Sequence, residues 1–108
     1  MNYRKVTAII PSLSLEIVEL ELKKIGLPGM SVTNVEGYGE YRNLYTKGEL
    51  SDCSRVEVFT EKEKAKQIVT TIAKAAHQGL NTDGIIAVLP VEDLIHINEF
   101  TEVTDDGK

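Results

Sequence analysis

Apolar residues change their spacing several times along the chain, and each change marks an element. Val6-Thr7-Ala8-Ile9-Ile10, closed by Pro11, is a short β-favouring run and predicts a first strand. Leu15, Val18, Leu22 and Ile25 then recur at helical spacing, while Glu19, Glu21, Lys23 and Lys24 fall largely off that face. The spacing predicts a helix from Leu15 to Ile25, with Ser12 and Ser14 offering N-cap oxygens and Glu16 beside the positive end of the dipole. Gly26 suits the left-handed position that ends such a helix, and Pro28 blocks its continuation. Ser31 to Tyr38 reads as a second strand, since Val32, Thr33 and Val35 favour extended chain. From Gly37 to Asp52 all periodicity is lost among glycines, tyrosines and polar residues. This predicts an exposed loop longer than folding alone demands, and hence a first suspect for function.

Arg55-Val56-Glu57-Val58-Phe59 resumes alternation and predicts a third strand. Thr60 and Glu63 have the spacing of a capping box. Ala65, Ile68, Val69, Ile72, Ala75 and Ala76 follow as a helical stripe, with His77 in a final turn beside the negative dipole end and Gly79 as the stop. Ile85-Ile86-Ala87-Val88-Leu89 is continuously apolar, as in a buried strand ending at Pro90, and Ile95 and Ile97 suggest a brief last extended piece. Residues 101–108 read as a flexible acidic tail beyond a single domain of residues 1–100. The order strand, helix, strand, loop, strand, helix, strand is a doubled β-α-β unit. It predicts an α+β, ferredoxin-like βαββαβ fold with an antiparallel four-stranded sheet. Helices on one face leave the other needing cover, and a closed ring of identical subunits supplies it.

Composition narrows the classes. The chain has 108 residues, enough for one domain, and 42% hydrophobic residues, enough for a core. A net charge of −5 argues against a nucleic-acid partner, because affinity for phosphate backbones rests on Lys and Arg. No apolar run is long enough to span a bilayer, and the start is too interrupted for a signal peptide, so membrane insertion is not expected. A single cysteine, Cys53, excludes an intrachain disulfide and suits a cytoplasmic protein.

Candidate chemistry is sparse. Cys53, His77 and His96 have metal-ligating side chains, but no two stand at a spacing that fixes a site within one chain. Nothing brings Cys53 to an activating histidine, so no enzymatic activity is expected. Gly37-Tyr38-Gly39 is either a turn that lets a ligand approach the backbone or a strand end bending into a loop. Gly79 to Gly84 has the outline of an anion-binding nest, or else is a plain helix-to-strand connection.

Four stretches in order, KVTAIIP (Lys5–Pro11), GLPGMSVTNVEGYG (Gly26–Gly39), AAHQGLNTDGIIAVLPV (Ala75–Val91) and the following Glu92, are similar to the P-II signal-transduction, or nitrogen regulatory, family. The resemblance implies a homotrimer that binds ATP or ADP in clefts between subunits. It also implies a long loop, the T-loop, that engages a target enzyme, transporter or transcription regulator. By position it implies nucleotide contacts at Ser31, Gly37, Tyr38, Gly39, Thr82, Asp83 and Gly84, and a partner-binding loop carrying Tyr41, Arg42, Tyr45 and Lys47.

The departures from the family pattern are specific. Glu40 stands where a basic residue follows the second mouth glycine, Ile85 where a Lys usually stands, and His96 and Asn98 where two arginines are expected. Each lost cation removes about 1–3 kcal/mol of charge-assisted hydrogen bonding to phosphate. The expectation is therefore weakened nucleotide binding, with ATP affected more than ADP or AMP, and Arg42, Lys47 and Arg55 as the remaining nearby cations. No cofactor is required. The tyrosine that accepts a nucleotidyl group in nitrogen-sensing members has no counterpart past Gly48-Glu49-Leu50, so uridylylation is not expected. The short loop is most similar to a divergent P-II-like branch associated with membrane transporters. The functional expectation is thus a regulator that senses a small effector and controls a partner protein or transporter, in nitrogen regulation or in metal and transport control. The alternative is a metal-responsive binding protein linked to heavy-metal efflux.

Overall fold

The computed structural model describes residues 2–37 and 50–102. Strand β1 spans Tyr3–Pro11, helix α1 Leu15–Lys24, β2 Ser31–Gly37, β3 Ser51–Glu61, α2 Lys62–Ala76 and β4 Ile85–Val91. The sheet has four strands in the order β2-β3-β1-β4, and each neighbouring pair is antiparallel. This is the expected ferredoxin-like α+β fold, with β1 and β3 central.

Alternation on the central strands decides where the core lies. Val6, Ala8 and Ile10 of β1 and Val56 and Val58 of β3 turn towards the helices. There they meet Val18 and Leu22 of α1 and Ala65, Ile68, Ile72 and Ala76 of α2. The opposite parity (Lys5, Thr7 and Ile9 beside Arg55, Glu57 and Phe59) lies on the face without helices.

The end of α1 follows the sequence closely. Gly26 takes φ +84°, its N–H donates to the Lys23 carbonyl at 3.0 Å, and the Leu27 N–H donates to Leu22 at 3.1 Å. These two bonds make a Schellman motif, with Leu27 packed against the core behind it.

Other boundaries differ from the sequence expectation. β1 runs from Tyr3 and includes Pro11, and β3 begins at Ser51, inside the expected loop, because Ser51 and Asp52 pair through backbone with Gly37 and Glu36. Ser14 holds the N-cap position of α1, but its side chain makes no cap bond there. Ser12 and Ser14 form a 3₁₀ turn with Leu13, and the Ser12 hydroxyl meets that of Ser54 at 3.2 Å. The capping box is absent as well: Thr60 is a buried strand residue, Glu61 takes the N-cap position, and the Lys62 N–H donates to the Asn2 carbonyl at 2.8 Å. α2 stops at Ala76, so His77 lies just beyond the helix in extended conformation. β4 passes through Pro90, which an edge strand tolerates. It is also not buried: Ile85 and Leu89 remain 40% and 42% exposed, because one chain alone leaves the outer sheet face bare. Ile95 and Ile97 form no strand among the described residues; Ile97 opens a 3₁₀ turn and is 90% exposed. The expected acidic tail lies outside the described residues from position 103 onwards. Among the described residues no helix is long and apolar enough to cross a membrane.

Candidate functional site

Ser31 opens β2 and sits opposite Glu57, while Gly37 closes the same strand opposite Ser51. Thr82, Asp83 and Gly84 lie in the connection between α2 and β4. Since β2 and β4 are the two edges of the sheet, these groups are separated by three interstrand spacings, or about 14 Å across the sheet. Gly37 and the Thr82–Gly84 connection nevertheless lie at a similar level along the strands, whereas Ser31, level with Glu57 and Thr7, lies further down β2. Gly37, the start of β3, the end of β1 and the start of β4 share one end of the sheet. One chain therefore carries Gly37 and the Thr82–Gly84 connection at one end but on opposite edges, with Ser31 further along the β2 edge. Tyr38, Gly39, Tyr41, Arg42, Tyr45 and Lys47 lie outside the described residues.

Gly84 is fixed by close packing. Its φ is +111°, and a Cβ built on it would stand 2.0 Å from the Ile9 carbonyl oxygen and 3.1 Å from the Ile10 Cα. Only glycine lets this connection lie against the end of β1.

The neighbouring nest is occupied from within. Oδ2 of Asp83 accepts the N–H groups of Gln78 at 2.8 Å, Gly79 at 3.0 Å and Leu80 at 3.4 Å. Its own N–H donates to the Leu80 carbonyl at 3.1 Å, so the Asp83 amide, expected to face phosphate, is already engaged. The bond from the Gln78 amide, with those from Gly79 and Leu80 and the nearby His77, holds the Asp83 carboxyl below its ordinary range. The spacing Gly79-x-x-x-Asp83-Gly84 was the only sequence signal for this arrangement.

A second cluster, absent from the sequence expectation, lies on the bare sheet face. Oε2 of Glu57 receives Lys5 Nζ at 2.9 Å and the Thr7 hydroxyl at 3.5 Å, and Arg55 Nε stands 3.7 Å away. The Lys5 hydrogen bond leads in lowering the Glu57 pKa, with the charges of Lys5 and Arg55 adding to it. Lys5 also stands 6.0 Å from the Phe59 ring centre. Strand alternation carried the signal, since all five side chains have the parity opposite to the core.

Cys53 is buried on β3, and burial, with Asp52 next to it, pushes its thiol up. In the chain His77 follows α2 and His96 follows β4. No group of three or more metal-ligating side chains gathers among the described residues.

Comparison with known proteins agrees with this architecture. The family model described as "Nitrogen regulatory protein P-II" matches residues 3–100. A nitrogen regulatory protein P-II from Azospirillum brasilense is 31% identical over 101 residues, covering 87% of this chain and 90% of the relative. One from Pyropia yezoensis is 33% identical with the same coverage. The crystal structure of Arabidopsis thaliana PII bound to citrate superposes with a TM-score of 0.77 at 28% identity, over 91% of this chain and 82% of that one. The chain belongs to the P-II family of nitrogen regulatory proteins, and is a signal-transduction regulator rather than an enzyme.

Proposed function

We propose that three copies assemble through their bare sheet faces and sense an adenine nucleotide in the clefts between them, relaying its presence to a partner through the segment 37–52. The observation that carries this reading is the division of the candidate site. Gly37 lies on one edge strand and the Thr82–Gly84 connection on the other, at the same end of the sheet, with Ser31 further along the β2 edge. A single chain cannot bring these edges together, but the β2 edge of one copy meeting the β4 edge of the next does so. Ile85 and Leu89 on the open face supply the apolar area for that contact.

The nucleotide is expected to be ADP or AMP in preference to ATP, because Ile85, His96 and Asn98 supply no fixed cation for a third phosphate. The partner is a membrane transporter or a regulated enzyme, and only an effector with unequal affinity for two loop states can signal to it. Native mass spectrometry with added ADP, AMP or ATP tests assembly and ligand together. The expected species has three times the 12.0 kDa subunit mass and takes up ADP or AMP more readily than ATP. A species of subunit mass at all workable concentrations would overturn the reading.

A further inference from the structure

The connection between α2 and β4 spends a charged side chain on itself. Three successive amides, those of Gln78, Gly79 and Leu80, converge on Oδ2 of Asp83. Converging amides of this kind form a concavity suited to an anion, and here the anion belongs to the loop. The Asp83 N–H closes the same turn onto the Leu80 carbonyl, and the next residue, Gly84, is wedged against the Ile9 carbonyl with no space for a side chain. The loop is thus held by the carboxylate at its start and by close packing at its end. Between these anchors, the amides of Asn81 and Thr82 donate to no other described residue.

We propose that Asp83 is a positioning residue: its carboxylate fills the amides of residues 78–80, fixes the loop, and leaves the Asn81 and Thr82 amides as the donors presented to a nucleotide phosphate. The proposal rests on the nucleotide reading above and adds the group that shapes its phosphate contact. A phosphate could reach the filled amides only by expelling a carboxylate held by three hydrogen bonds, so it is steered to the two residues that follow. Asp83 itself touches no phosphate in this arrangement.

The test combines amide hydrogen exchange with ADP calorimetry on wild type, Asp83→Ala and Asp83→Asn. Removing the acceptor in Asp83→Ala exposes three amides, so their exchange should rise by about ten-fold or more and ADP affinity should fall by about ten-fold. Exchange in β1 and β3 should not change. Asp83→Asn keeps an acceptor oxygen in the same place, and should restore both readouts to within about three-fold of wild type. Unchanged exchange at residues 78–80 in Asp83→Ala would show that the carboxylate does not hold the loop. Faster exchange with equal or tighter ADP binding would show that it holds the loop without serving the ligand. A wild-type protein that takes up no ADP at millimolar concentration overturns the nucleotide reading and the positioning role with it. The exchange data then still report the loop contact, which separates the two failures.

Discussion

Replacing Gly84 with alanine is the sharpest test of how the loop is seated. The added Cβ would lie 2.0 Å from the Ile9 carbonyl oxygen and 3.0 Å from its carbon, both backbone atoms of a central strand paired on each side. Neither can swing aside as a flexible side chain would. A left-handed backbone costs a non-glycine residue about 1–2 kcal/mol. Relief requires peeling the first residues of β4 from β1, which forfeits about two ladder hydrogen bonds at roughly 1 kcal/mol each and part of the packing of Ile86. The total is about 3–5 kcal/mol, or roughly 12–20 °C in Tm for a domain of this size. Two other glycines separate space from backbone angle. Gly26 has φ +84° but open space around it, and Gly29 has open space without a positive φ. Urea unfolding at matched protein concentration should rank Gly29→Ala within about 0.5 kcal/mol of wild type, Gly26→Ala about 1–2 kcal/mol below it, and Gly84→Ala lowest. Equal losses for Gly26→Ala and Gly84→Ala would refute the packing argument and leave only the backbone angle.

Three further outcomes follow. Leu89→Lys places a second ammonium opposite Lys5 on the bare sheet face, and should convert the assembly to single subunits in light scattering, whereas an unchanged mass would move the interface elsewhere. Glu57 has a folded pKa below its unfolded one, so its contribution to stability is present above the unfolded value of about 4 and lost as pH falls through the folded value. Thermal melts from pH 7 to 3 should therefore show a shallower acid limb in Glu57→Gln, and identical limbs would dismiss the cluster. Cys53 is buried with a raised pKa, so a chromogenic disulfide should label it slowly in native protein at pH 8 and about a hundred-fold faster in guanidinium; equal rates would contradict its burial.

What the sequence made legible was whatever repeats locally. The helix α1 could be read because Val18 and Leu22 fall on one stripe and Gly26 permits the left-handed backbone that ends it. Strand ends could not, since Tyr3, Ser51 and Asp52 join the sheet through main-chain groups that hydropathy does not register. Ser12, Ser14 and Thr60 have the right chemistry for caps, yet a hydroxyl serves equally well as a buried strand or turn residue. The apolar run of β4 was visible, but whether its cover comes from a helix or from another copy is not written in its spacing. The candidate residues behave alike. Ser31 and Gly84 could be named singly, but their placement on opposite edges depends on strand order, and the grip of Asp83 on residues 78–80 depends on the fold of the turn.

The strand order also bears on how the chain can be made. As it leaves the ribosome, β1, α1 and β2 emerge first, yet among the described residues none of them finds a strand partner within that group. β2 waits for β3, and β1 waits for β3 and β4, so the first half is an unpaired fragment until more than half of the polypeptide has been synthesised. Most of the ladder then closes over long sequence separations, as in slow-folding, high-contact-order topologies. Nascent chains arrested before Ser51 should stay sensitive to protease, and protection should arrive late, once β3 has cleared the exit tunnel.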